Sequence, residues 1–169
     1  MTMRSLLAVL LPLIVGAVLT LAATELPRAQ DRNRERARGL LLAAHDFRHA
    51  CEEWLDLRLT AHSTPSTWEL RARQEDLAWQ LEHVISRHPC WRWPRRLLEH
   101  LQDGPFGAGL TSGWTRLSPA ERRIRHDTTH RALDEFVRHT TRLAARMEHP
   151  LLSRREMRSE PVWTRHPDA

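Results

Sequence analysis

The apolar and polar positions of this chain fall into one uncharged N-terminal run followed by several amphipathic stretches. From Ser5 to Ala23, nineteen residues carry no charge and nearly all are apolar. Signal-peptide cores run to about 7–15 residues and a bilayer span needs about 20, so the run predicts a retained transmembrane anchor over 5–23, with a cleaved signal as the competing expectation. Pro12 and Gly16 loosen such a helix without forbidding it.

Beyond the run, the apolar spacing is helical. Leu40, Ala44, Phe47, Cys51 and Trp54 step by four, three, four and three, the seam of a helix from about Pro27 to Ala61 that packs against a partner helix. Gly39 marks a kink or interruption between an Arg-rich stalk at 24–39 and this seam. A second helix is predicted from Thr64-Pro65 or from the capping box Ser66 to Glu69, with Leu70, Leu77, Leu81, Val84 and Ile85 on one face and a stop at Pro89. A third, short one begins at Pro94 and carries Leu97, Leu98 and Leu101. The stretch from Gly104 to Trp114 holds four of the six glycines and reads as a loop. The fourth helix opens on Ser118-Pro119-Ala120-Glu121, an N-cap, a first-turn proline and a reciprocal glutamate, and extends to about His149. The segment 150–169 lacks periodicity and reads as a flexible tail in which Leu151, Leu152 and Trp163 are available to a partner.

Composition reinforces the helices. There is no Tyr and no Lys; all 26 basic residues are Arg, and Ala, Leu, Arg and Glu dominate. The net charge of +5 is spread among acids rather than gathered in a stripe, which argues for a mixed solvated surface and against specific nucleic-acid binding. Charge also bears on sidedness. Arg28, Arg32, Arg34, Arg36 and Arg38 follow the run closely while only Arg4 precedes it, which by the positive-inside rule places the domain in the cytoplasm. A very short tail before a long domain is instead the usual layout of exported bacterial proteins, and it tips the expectation slightly toward the outer side of the inner membrane.

Candidate chemistry rests on two local echoes, His45-Asp46-Phe47-Arg48-His49 and His126-Asp127-Thr128-Thr129-His130, each followed four residues on by an acid, Glu53 or Asp134. Histidines at i and i+4 share a helix face and suit a zinc ion. His45 and His49 fall opposite the apolar seam and face solvent, whereas His126 and His130 align with Leu133, Val137, Ala144 and Met147 and are expected to be half-buried. His126, His130 and Asp134 are therefore the metal-site candidates, with ordinary hydrogen-bond partners as the competing explanation. A zinc-protease motif is excluded because Asp127 stands where the glutamate base is required. The order His45, Cys90, His126, His130 is similar to that of bacterial chemoreceptor zinc-binding domains, but the spacings do not fit that family.

If the first two helices form a hairpin turning near Ser63, Cys51 and Cys90 are offset by about fourteen residues, roughly 20 Å, beyond disulfide reach. The same hairpin returns Cys90-Trp91-Arg92-Trp93-Pro94-Arg95-Arg96 toward the membrane. Trp91, Arg92, Trp93, Arg95 and Arg96 are of the types that bilayer interfaces favour, and they form a second candidate site for lipid or a partner. The alternative is that the Trp rings pack on the bundle and the Arg residues face water. No phosphate loop, nucleophile elbow or redox motif is present.

The chain thus reads as all-α: an N-terminal transmembrane helix followed by a small helical hairpin or three- to four-helix bundle at 40–149, flanked by a tail at 1–4 and one at 150–169. The function expected is non-catalytic: an envelope sensor, interaction or assembly-accessory protein. It would need no cofactor and work with membrane lipid, a protein partner or a second copy. The alternative is a zinc or nickel sensor or store.

Overall fold

The computed structural model describes residues 3–60, 66–150 and 153–163, except for the side chains of 3–12, 17–19, 21, 22, 24 and 154. Its elements are α1 (Met3–Thr60), α2 (Trp68–Arg87), α3 (Trp93–Gln102), α4 (Ala108–Thr111), a 3₁₀ turn (Trp114–Arg116), α5 (Pro119–Met147) and α6 (Arg154–Arg158). Among the described residues there is no strand, so the all-α class expected from composition is observed.

Helices α1, α2, α3 and α5 form an up-down-up-down four-helix bundle. The register follows from cross-helix pairs. Arg73 reaches back to Asp46 at 3.3 Å, and Gly39 faces the Gln80 side chain, so α2 runs antiparallel to α1. Gln74 Nε2 donates to the carbonyls of Leu101 at 2.7 Å and Phe106 at 3.1 Å, tying α2 to the end of α3. The indole Nε1–H of Trp93 donates to the His139 carbonyl at 3.3 Å, which sets α3 against α5.

One core fills the bundle. The predicted seam Leu40, Ala44, Phe47, Cys51 and Trp54 is buried throughout, as are Leu70, Leu77, Leu81 and Val84 of α2, Leu97 and Leu101 of α3, and Leu133, Phe136 and Leu143 of α5. Phe47, Phe106 and Phe136 meet edge to face, with centroids 5.7, 6.3 and 5.3 Å apart; such contacts add to plain area burial. Helix α5 starts where its sequence says it should. Glu121 N–H donates to Ser118 Oγ at 3.3 Å, and Ser118 N–H donates to Glu121 Oε2 at 2.7 Å, a closed capping box.

Four expectations change. Helix α1 is continuous from Met3 to Thr60, about 87 Å at 1.5 Å per residue; Gly39 does not interrupt it. The supposed loop 104–114 contains α4 and plugs the far end of the bundle with Phe106, Leu110 and Trp114, all buried. It turns at Gly113, whose φ of 77° is the left-handed conformation that glycine adopts without strain. Thirdly, Ser153 to Trp163 is not a free tail: Met157 is fully buried, and the Arg92 N–H donates to its carbonyl at 2.9 Å. Leu151 and Leu152 lie outside the described residues. The fourth concerns the anchor. Among the described residues no helix is long and apolar enough to cross a membrane, and most side chains of the run at 5–23 lie outside those described. Core burial starts at Ala37. On the arm before it, Leu13, Ile14, Val15 and Leu26 are 49% to 67% exposed.

Candidate functional site

The metal candidates His126, His130 and Asp134 lie at i, i+4 and i+8 on α5 and meet a matching stripe on α1, Arg48, Glu52 and Asp56, at the same spacing in the opposite direction. The antiparallel crossing turns the two stripes into a ladder. Asp134 Oδ1 accepts from Arg48 Nη2 at 2.8 Å, Glu52 Oε1 faces His130 Nε2 at 3.5 Å, and Asp56 Oδ1 faces His126 Nε2 at 3.2 Å. Along each helix the rungs are joined: Arg48 Nε donates to Glu52 Oε1 at 2.8 Å, His130 Nδ1 lies 3.5 Å from Asp134 Oδ2, and His126 Nδ1 lies 3.2 Å from Asp127 Oδ1. The hydrogen bond that Arg48 donates to Glu52 holds its guanidinium above its ordinary pKa.

The two imidazoles are partly covered as expected, with 15% of the His126 and 40% of the His130 side chain exposed, and their rings stack 6.2 Å apart. All four of their ring nitrogens face carboxylates. Among the described residues no group of three or more His, Cys, Asp or Glu side chains is placed to hold a metal ion. The chemistry of this ladder is charge pairing: a neutral imidazole donates from only one ring nitrogen, to one of the two carboxylates it faces, and only the imidazolium can donate to both. His45 and His49 point to solvent.

A second polar group sits deeper, between α3, α5 and the C-terminal segment. Glu135 and His139 are both buried, with His139 Nε2 3.8 Å from Glu135 Oε1. Trp163 lies over His100 and His139, at centroid distances of 3.8 and 4.6 Å. Burial lowers the pKa of His139, with Arg138 and Arg142 acting in the same sense and Glu135 and the Val162 backbone opposing. His100 is lowered by burial first, then by Arg96 and His139, against Glu99 and Glu135. Both rings are thus biased toward the neutral form.

The Trp/Arg segment divides. Trp91 and Trp93 are only 3% and 4% exposed and belong to the core, so neither ring is available to a bilayer. Trp91 stacks on His88 at 4.1 Å and Arg142 lies over Trp93 at 5.5 Å. Arg92, Arg95 and Arg96 are exposed. Arg96 pairs with Glu99 at 2.6 Å and Glu160 at 3.0 Å, and Arg95 donates to the Pro89 carbonyl at 2.9 Å. The apolar neighbours Leu97 and Leu101 claim the same helix face as Trp93, which turns the rings inward and the guanidiniums outward.

Both cysteines are free thiols. Cys51 is buried beside Glu52, and desolvation pushes its pKa up to about 12, leaving a core thiol without nucleophilic character. Sequence reasoning found one stripe of the ladder and missed the other. Arg48, Glu52 and Asp56 share its four-residue spacing, but only the α1–α5 register reveals that they face it.

No protein-family model matches the chain, and neither a curated protein nor a solved structure is significantly similar to it.

Proposed function

We propose that this chain is a non-catalytic, single-pass membrane-anchored helical protein, acting in the bacterial envelope as an interaction, sensor or assembly-accessory subunit. The observation that carries this reading is the unequal use of α1. One uninterrupted helix packs into the bundle from Ala37 onward, and the stretch before it is an arm whose described apolar residues find no cover within the chain. An apolar arm rigidly joined to a folded bundle suits a tether, because a continuous helix fixes the bundle's distance and orientation relative to whatever holds the arm. The uncharged run from Ser5 to Ala23 makes a lipid bilayer the leading occupant. The polar clusters favour a binding role over catalysis: the ladder's charged groups are committed to one another, and the buried thiol is unreactive.

The test is carbonate extraction of membranes from cells expressing the full chain, together with C-terminal reporters active only outside or fluorescent only inside the cytoplasm. The reading expects the intact chain to stay in the membrane pellet with a single reporter positive. Release into the alkaline supernatant would refute the anchor.

A further inference from the structure

Arg48, Arg73, Arg96, Arg142 and Arg146 all carry an acidic partner within 4.0 Å. A pocket of about 240 Å³ between α1 and α2, at the end of the bundle nearest the arm, is lined by two other arginines. Arg36 of α1 enters it from one side; His83 and Arg87 of α2, with His88 just beyond, enter from the other. Its remaining polar lining is the neutral amides of Asn33 and Gln80, and no carboxylate lines it.

Arg36 hydrogen-bonds only weakly to Asn33, at 3.4 Å. Its pKa is lowered, by burial first and then by the fields of Arg87 and Arg32, with Glu35 as the opposing acid; a guanidinium remains charged under such pressure. The C-terminal dipole of α2 accounts for Arg87 but gives no support to Arg36, which sits mid-helix in α1. Two guanidiniums, Arg36 and Arg87, brought together in a concave site with no carboxylate in its lining make a receptor for an anion. Trp79, 54% exposed and tilted over His83 at 4.6 Å, gives the rim an apolar wall.

We propose that this pocket binds a phosphate group, carried by an anionic phospholipid headgroup or by a free phosphate. Two guanidiniums suit that ligand because each offers a planar fork to phosphate oxygens. The volume, below the roughly 300 Å³ at which sites for larger organic ligands begin, favours a small anionic group. The site stands whether or not the arm enters a bilayer. If it does, the pocket lies beside the arm where the helix leaves the bundle, and a headgroup there would brace the bundle against the membrane.

The test uses the intact chain in an uncharged detergent, titrated calorimetrically with inorganic phosphate and separately with soluble dihexanoyl phosphatidylglycerol. Saturable binding of at least one probe is expected, weakened about tenfold or more by Arg36→Gln with Arg87→Gln. The pair Arg123→Gln with Arg131→Gln, which removes the same charge from the exposed face of α5, should leave it unchanged. Binding of both probes identifies the phosphate group itself as the ligand; binding of the lipid alone identifies the headgroup, and of phosphate alone a soluble source. If Arg36→Gln with Arg87→Gln loses helicity, Trp79→Glu, an exposed substitution that sets a carboxylate at the rim, should produce the same weakening. The proposal is overturned if neither probe binds, or if the two charge-matched pairs weaken binding equally.

Discussion

Between Ala37 and Leu55, helix α1 buries a residue at every turn against α2 and α5, whereas between Leu13 and Leu26 its described apolar side chains are open. Backbone geometry is the same in both halves, so the difference lies in what stands beside the helix. A helix of this length is held by tertiary contacts on one half and by its own hydrogen bonds on the other. In the reading proposed above, a lipid bilayer covers these apolar residues of the arm.

The largest effect that sharpens the contrast is Phe47→Ala. Phe47 has no exposed surface and meets two other Phe rings, so the substitution should cost about 3–5 kcal/mol in urea unfolding. Acidification comes next. The lowered pKa values of His100 and His139 mean that the unfolded chain binds protons more readily, so their contribution is complete above the unfolded value of about 6.5 and is lost as pH falls below it. His100→Gln with His139→Gln should flatten the melting temperature between pH 7.5 and 5; the arm contains no His and cannot supply this slope. Ser118→Ala, which opens the α5 capping box, should cost about 1 kcal/mol in the same unfolding assay. In the half-exposed ladder, a double-mutant cycle on Arg48 and Asp134 should give a coupling of only about 0.5 kcal/mol, shrinking with salt. Smallest of all, Leu26→Ala should change stability by less than about 0.5 kcal/mol. A cost near that of Phe47→Ala would show that the arm packs on the bundle, and the contrast would fail.

The buried seams of all four bundle helices are legible in the sequence because each buries a continuous face, and the Ser118 box is legible because its chemistry is local. What escapes is what depends on register. Phe106, Leu110 and Trp114 recur every four residues, yet the surrounding glycines mask them as loop. Met157 sits in a segment too short to show a period and is buried only because the chain folds back over α3. The interfacial reading of Trp91 and Trp93 fails for the same reason: Trp suits a membrane interface and a protein core equally, and only the packing of α3 on α5 decides between them. The ladder is half legible. His126, His130 and Asp134 are marked by spacing on one helix, while their charge partners become recognisable only once α1 is aligned against α5.

The unequal halves of α1 are tested most directly by flotation of the intact chain with phosphatidylethanolamine–phosphatidylglycerol vesicles, beside the variant Ile14→Arg with Val15→Arg. The account predicts that the parent chain floats with the vesicles and that the variant, with its bundle and its far-ultraviolet circular dichroism preserved, stays at the bottom of the gradient. A parent chain that stays at the bottom, or a variant that floats equally well, would contradict it.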